Sequence, residues 1–341
     1  MGLHPPRPGT TSPRTVHRDE RPVLEHSLLF LVAAIPFCLF IVVTAAAYFV
    51  RGAVSIAHRL SVPEFLVGSV IVAVGTSAPE VAINVSAVVE DAGDIVISNI
   101  VGSNIVNIAL GVGIAGLILS FDRARSEYTR TIVIGLLGAV ALLANTLLMQ
   151  TSPWVSSFTL PFALALLTAF AYFMWTSIRS ADGAEDEEFE ADAALIPSIL
   201  FILLGAGAMA FFSDKAVIYA VELAQIMAIP EAVVGATVIA AGGSLPEVSA
   251  CIAAARIGRP NLILGNVAGS QIFNILGILG LSGVIGTFTY STALWVDIAI
   301  LIGMTLILIA CLRRMTLRRF MGPLLVGSYG LYAAYLVYMS A

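Results

Sequence analysis

Long apolar runs fill the chain from Ser27 to its C-terminus, and short polar stretches separate them. A helix needs about 20 apolar residues to cross a bilayer. We therefore predict an all-α polytopic membrane protein with ten transmembrane helices. The predicted spans lie near 28–57, 62–90, 94–120, 130–149, 153–178, 195–227, 230–256, 260–286, 290–312 and 320–339. The first and sixth are longer than a perpendicular crossing requires, which predicts that they are strongly tilted.

The composition supports a membrane protein and argues against several other classes. Hydrophobic residues make up 59% of the chain and charged residues 11%, whereas a soluble domain carries about 25% charged residues. We recognise no nucleotide-binding loop, no nucleic-acid motif and no arrangement of nucleophile and base. The sequence thus predicts no enzyme, no cofactor and no nucleic-acid partner; it predicts no particular oligomeric state.

Cysteine and histidine offer no metal-binding pattern. The cysteines lie far apart inside apolar runs, so we interpret them as packing residues. The histidines lie in the N-terminal tail or near a helix end, where we expect them to be solvated. These residues are Cys38, Cys251 and Cys311, and His4, His17, His26 and His58.

Two segments lack apolar periodicity. Residues 1–26 are rich in proline, arginine and threonine and predict a disordered tail that is not a secretory signal. Residues 179–194 form an acidic linker, which we interpret as a solvated cytoplasmic hinge rather than a metal-binding cluster. The linker separates a first five-helix unit, 27–178, from a second, 195–341.

Arginine positions predict the orientation. With the N-terminus outside, the arginines of the interhelical loops become cytoplasmic and the opposite loops contain none, as the positive-inside rule demands. Four arginines in the N-terminal tail would then lie outside, which does not fit the positive-inside rule. We predict a plasma-membrane protein whose N- and C-termini both lie outside. The cytoplasmic set is Arg51, Arg59, Arg123, Arg125, Arg130, Arg179, Arg256, Arg259, Arg313, Arg314, Arg318 and Arg319.

The two halves repeat one another. A shift of 167 residues aligns Glu80 with Glu247 and Asn107 with Asn274, and no gap is needed from Val62 to Ile108. Five predicted spans separate the copies. Because five is odd, the second copy enters the membrane from the opposite side, so we predict inverted repeats. Many secondary transporters use such repeats to build a site near the bilayer midplane.

Each copy places a carboxylate within a span, in GTSAPE (Gly75–Glu80) and GGSLPE (Gly242–Glu247). A carboxylate at that depth is costly unless it is paired or binds an ion. The proline of each motif releases preceding carbonyls from helical hydrogen bonds, which is tolerated where they line a cavity or hold an ion. Carboxylate, carbonyl and hydroxyl oxygens together favour Ca²⁺ and Na⁺ over soft metals.

A second element in each copy supplies more oxygens, in SNIVGSNIVNI (98–108) and GNVAGSQIFNI (265–275). Ser103 and Asn107 are four residues apart and share a helix face, as do Ser270 and Asn274. Such residues could simply join helices. We expect Asn107 and Asn274 to bind the ion or support the glutamates. For Asn99 and Asn266 we leave open whether they only join helices or serve the site.

These paired segments resemble the alpha repeats of the cation/calcium antiporter superfamily, most closely those of its sodium/calcium exchangers. The resemblance covers nearly the whole chain and implies that the two long helices slide across a core of the other eight. It implies that Glu80 and Glu247 bind Ca²⁺ and Na⁺ as transported substrates. It also implies oxygen ligands at Thr76, Ser77, Ser103, Ser244 and Ser270, with Asn107 and Asn274 facing the glutamates.

Some positions depart from that family. Gly243 replaces the usual threonine and keeps only a carbonyl as a ligand, and Gln271 replaces an asparagine. Asn274 stands where potassium-dependent relatives carry aspartate, which argues against a potassium requirement. Asp214, Lys215 and Glu222 have no matching charges in the first span. We interpret Asp214 and Lys215 as a local pair near the membrane edge, with proton coupling as the alternative.

The function predicted is exchange of Ca²⁺ for Na⁺ by alternating access. Two unpaired buried carboxylates would disfavour crossing without cargo and so prevent leak. The alternatives are a proton-coupled calcium or cation antiporter, which would use the same glutamates as proton acceptors, and a cation channel, which the inverted repeat disfavours.

Overall fold

The computed structural model describes residues 26–59, 62–121, 128–151, 157–179, 194–227, 229, 240–314 and 318–340. These residues are almost entirely helical. The predictions for residues 1–25 and for most of the acidic linker lie outside the described residues. The helices are α1 (Leu28–Arg59), α2 (Phe65–Thr76), α3 (Ala78–Val89), α4 (Gly93–Ile118), α5 (Tyr128–Thr151), α6 (Leu160–Arg179), α7 (Leu195–Ile226), α8 (Leu245–Arg256), α9 (Pro260–Ile285), α10 (Thr292–Arg313) and α11 (Met321–Ser340).

Membrane-spanning helices are abundant. Within the described residues, seven helices are long and apolar enough to cross a membrane, or eight if α2 and α3, bent by 50° at Ser77, form one span. Each of the ten predicted spans contains helix, but the count of ten is not confirmed. Part of the seventh predicted span, 230–239, lies outside the described residues.

The two longest helices pack against each other. α1 and α7 have 32 residues each, and their bounds differ by the same 167 residues as the sequence repeat. A side chain at Gly52 would lie 2.6 Å from the Ser198 carbonyl oxygen, so glycine is needed for this close approach. The Ser198 hydroxyl donates to the Ser55 hydroxyl at 2.8 Å. The two helices expected to be long therefore form one close pair.

The interior of the protein lies around α4 and α9. In the most apolar 18-residue stretch of each helix, 72% of α4 and 94% of α9 is buried, against 22% of α1 and 17% of α7. Serine, asparagine and glutamate side chains are buried inside, whereas many large apolar side chains of α1, α7 and α11 are exposed. This distribution suits a protein whose outer surface faces lipid.

A turn recurs in both halves. Between α3 and α4, Asp91 has φ of 56°, and the Ala92 amide donates to the Ala87 carbonyl at 2.8 Å. The equivalent residues between α8 and α9 repeat this geometry: Gly258 has φ of 71°, and the Arg259 amide donates to the Ala254 carbonyl at 2.9 Å. The repeat thus extends to backbone conformation.

Both central helices also contain a π-helical stretch in the same part of the repeat. The stretches are Asn107–Val112 in α4 and Phe273–Ile278 in α9. Each contains the last polar residue of its motif, Asn107 or Asn274. Single π turns within helices are frequent at functional sites.

His26 is not solvated as expected. Its backbone amide donates to Glu222 Oε1 at 2.7 Å, and its ring Nδ1 lies 2.9 Å from Glu222 Oε2. Its ring also stacks on Phe30. The expectation was wrong because Glu222, at the end of α7, meets the start of α1 only once the two helices pack together.

The fifth predicted span begins later than expected. Phe158 is not helical, and its amide donates to the Phe288 carbonyl at 2.9 Å. The two rings stack with centroids 4.9 Å apart. This pairing of two distant loops lies just before α6, which starts at Leu160.

Candidate ion-binding site

The first glutamate motif breaks a helix. α2 ends at Thr76 and α3 begins at Ala78, with Pro79 in the first turn of α3. Proline is tolerated there because first-turn amides have no helical partner. The Ala73 carbonyl still accepts from the Ser77 amide at 3.1 Å. The release of carbonyls predicted for Ala73–Thr76 therefore does not extend to Ala73.

The second motif breaks in the same way. A helical turn, Ala240–Gly242, is followed by Gly243 and by Ser244, the N-cap of α8. Pro246 lies in the first turn of α8. The break again places the glutamate at a helix start, where the helix dipole favours a negative charge.

Glu80 and Glu247 are both buried, with 0% of each residue exposed. Ser77 donates its hydroxyl to Glu247 Oε1 at 2.9 Å. Ser103, on α4, donates to Glu80 Oε1 at 3.5 Å. The Ser77–Glu247 bond joins the two halves and brings the second carboxylate to the helix break that precedes the first.

Several oxygens around the glutamates lack a hydrogen-bond partner in the described part of the chain. An unsatisfied buried polar group costs about 1–3 kcal/mol, and a bound cation would compensate oxygens of this kind. Among the described residues, no salt bridge reaches either glutamate. The unpartnered oxygens include Oε2 of Glu80 and Glu247, Oγ of Ser244 and Ser270, and Oδ1 of Asn107 and Asn274.

The predicted ligand set is assembled in part. The Thr76 hydroxyl donates to the Val72 carbonyl at 3.0 Å. Asn107 and Asn274 are buried, but no hydrogen bond to a glutamate is found for either among the described contacts; Asn274 Nδ2 lies 3.4 Å from Asn104 Oδ1. Ser77 and Ser103 donate to the carboxylates, and the Thr76 side chain also interacts with the carboxylate of Glu247.

Two asparagines hold the glutamate backbone: Asn84, which the sequence analysis did not single out, and Asn266, whose role it left open. Asn84 Nδ2 donates to the Glu80 carbonyl at 2.7 Å, and Asn266 Nδ2 lies 3.4 Å from the Glu247 carbonyl. Asn84 could have been found, because it lies four residues after Glu80 on the same face of α3. Its counterpart in the repeat is Cys251, so in the second half Asn266 reaches across from α9 instead.

A cavity of about 470 Å³ opens beside the site. Its lining includes Ser103, Gly243 and the two motif prolines, Pro79 and Pro246. Within the described residues, no cluster of three or more histidine, cysteine, aspartate or glutamate side chains could hold a metal. An ion between the glutamates would therefore depend on hydroxyl, amide and carbonyl oxygens as well.

Helices that break beside buried carboxylates and an open cavity, in a protein with several membrane-spanning helices, are typical of ion-transport proteins. A family model described as "Sodium/calcium exchanger protein" matches residues 30–179 and 197–338. The chain belongs to this family, which confirms the resemblance seen in the motifs.

Individual proteins are also similar to this chain. The sodium/calcium exchanger MaX1 of Methanosarcina acetivorans is 30% identical over 284 residues, covering 71% of this chain and 79% of that protein. The inner membrane protein YrbG of Escherichia coli is 28% identical over 326 residues, covering 92% and 98%. A solved structure of the sodium-calcium exchanger NCX_Mj is 25% identical, covers 91% of this chain and 100% of its own, and has a TM-score of 0.75.

Proposed function

We propose that this protein exchanges Ca²⁺ for Na⁺ across the plasma membrane and that both ions bind between Glu80 and Glu247. The observation that carries this proposal is the pair of fully buried glutamates, each with one oxygen that has no hydrogen-bond partner among the described residues. Two carboxylates neutralise one Ca²⁺. The names of the relative MaX1 and of the structural neighbour NCX_Mj support sodium and calcium as the ions.

The remaining ligands are proposed from the oxygens near the glutamates. Ca²⁺ takes about six to eight oxygen ligands and Na⁺ also prefers hard oxygens. Hydroxyls, amides and the Gly243 carbonyl supply candidates beside the two carboxylates. The proposed accessory set is Thr76, Ser77, Ser103, Asn107, Gly243, Ser244, Ser270 and Asn274.

Alternating access is proposed as the mechanism. The shared 167-residue offset of α1 and α7, the repeated turn and the paired π stretches support two equivalent halves. We infer that these halves are inverted and that the α1–α7 pair moves across the remaining helices to expose the site at either face. An empty site would leave two carboxylates uncompensated, and this cost disfavours return without an ion.

Calcium flux into proteoliposomes tests the proposal. Purified protein should take up radioactive Ca²⁺ when an outward Na⁺ gradient is imposed and should not when Na⁺ is absent. Glu80→Gln and Glu247→Gln should each reduce this flux by at least about 100-fold, because each removes half of the site's charge. Glu90→Gln, which neutralises an exposed glutamate at the end of α3, should behave as the wild type.

The same assay separates the alternatives. Uptake driven by a pH gradient without Na⁺ would support the proton-coupled antiporter instead. Single-channel currents would indicate a cation channel. Near-normal flux in either folded glutamate variant would contradict the proposed site.

A further inference from the structure

Asp214 is an exposed acid at the cavity that lies beside the two glutamate motifs. It lies in α7, its side chain is 67% exposed, and it lines the 470 Å³ cavity together with Ser103 and Gly243. The adjacent Ser213 also lines the cavity and is only 4% exposed, and its hydroxyl has no partner among the described residues. Asp214 therefore lies at the exposed side of the cavity, and Ser213 lies on the buried side of the same cavity.

The opposite half has no such acid. The 167-residue offset that relates α1 to α7 pairs Asp214 with Ala47 and Ser213 with Ala46. A second cavity lies against this part of α1, and its described lining contains Ala47, Arg51 and Arg256 and no carboxylate. The two equivalent stretches of long helix therefore face cavities of opposite charge.

Other charged groups near Asp214 leave this contrast in place. Asp94 also lines the cavity, is exposed, and accepts a hydrogen bond from the Ser291 amide. Lys215 Nζ lies 4.0 Å from an Asp214 oxygen, but its amine also lies over the Phe211 ring, and Lys215 is not among the cavity-lining residues. The charged side chains that line the cavity are therefore both acids, Asp94 and Asp214, among the described residues.

We infer that Asp214 concentrates cations at one face of the membrane and so gives the transporter a higher apparent cation affinity at that face than at the other. This inference rests on the proposed function. A charge at the mouth of a narrow, low-dielectric cleft raises the local concentration of counter-ions and their rate of access. Asp214 acts on access and is not a ligand of the transported ion, so it changes half-maximal concentrations and leaves the maximal rate unchanged.

Right-side-out and inside-out membrane vesicles test the inference at each face separately. At an ionic strength of about 0.01 M, adjusted with choline chloride, Asp214→Asn should raise the Ca²⁺ concentration for half-maximal uptake about three-fold at one face only. Lys215→Gln should lower it at that same face. Ala47→Asp should lower it at the opposite face. All three effects should vanish at about 1 M choline chloride, where screening acts within about 3 Å.

The controls separate this inference from the proposed function. Asp214→Glu keeps the charge and should match the wild type, which shows that any change in Asp214→Asn does not come from altered packing. Changes that are equal at both faces, that persist at high ionic strength, or that are absent altogether would contradict the role of Asp214. Wild-type vesicles without sodium-dependent calcium flux would instead contradict the proposed exchange.

Discussion

The hydroxyls around the two glutamates are equivalent in sequence but not in their contacts. Ser77 donates to Glu247 and Ser103 donates to Glu80, while the hydroxyls of their counterparts, Ser244 and Ser270, have no partner among the described residues. The hydroxyls that interact with the carboxylates therefore come from the first half. The second half leaves hydroxyl oxygens free to face an ion.

Gly243 is a second point where the halves differ, because its counterpart Thr76 carries a hydroxyl. A Cβ at Gly243 would meet no heavy atom within 4 Å, so the site has room for a side chain. We expect Gly243→Thr to fold and to lower the Na⁺ concentration for half-maximal exchange about two- to five-fold, with a smaller change for Ca²⁺. The reason is that Ca²⁺ can replace a lost hydroxyl with water or bidentate carboxylate. Exchange kinetics in proteoliposomes measure both.

The neighbouring glycine provides the control. A Cβ at Gly242 would lie 2.1 Å from Val217 Cγ2 on α7, so Gly242→Ala should lower the melting temperature of the purified protein. A stable Gly243→Thr variant with unchanged sodium dependence would show that this position contributes nothing to sodium binding.

At the scale of elements, α4 and α9 carry the same motif but pack differently. A Cβ at Gly269 of α9 would lie 2.3 Å from the Ser69 carbonyl oxygen in α2. A Cβ at the equivalent Gly102 of α4 would meet nothing within 4 Å and would face the cavity. Glycine is thus needed for helix contact in one copy and borders open space in the other.

This difference predicts opposite outcomes for one substitution. Gly269→Ala should destabilise the protein by about 1–3 kcal/mol, because overpacking forces the backbones of α2 and α9 apart. Gly102→Ala should leave stability unchanged or slightly raise it, since alanine has the higher helix propensity. Thermal unfolding in detergent compares the two, and equal melting temperatures would contradict the close α2–α9 contact.

For the whole molecule, we predict the orientation in the membrane from the arginine asymmetry of the loops. Reporters fused after Arg125 and within 184–194 should be cytoplasmic, and a reporter at the C-terminus should lie outside. Alkaline phosphatase and green fluorescent protein fusions distinguish the two sides. A cytoplasmic C-terminus would mean that the spans are not ten or that the tail arginines determine the orientation.

Much of the architecture was accessible from the sequence because it depends on local pattern. The lengths of α1 and α7 follow from long, predominantly apolar runs. The breaks before Glu80 and Glu247 follow from the prolines, which cannot continue a helix. The ungapped repeat identified the equivalent positions in both halves. Family membership followed from the same motifs and was confirmed by comparison with known proteins.

Other features were decided only by tertiary packing. The Ser77–Glu247 bond, the support of Glu247 by Asn266, and the contact of His26 with Glu222 each depend on how separate helices meet. Ser77 and Glu247 are 170 residues apart in sequence, and no periodicity along one helix encodes such a contact. The two halves are equivalent in sequence. Contacts between helices of different halves nevertheless place equivalent residues in different surroundings. For this reason the sequence alone determined the class of protein and its two carboxylates, while the structure decided which oxygens surround them.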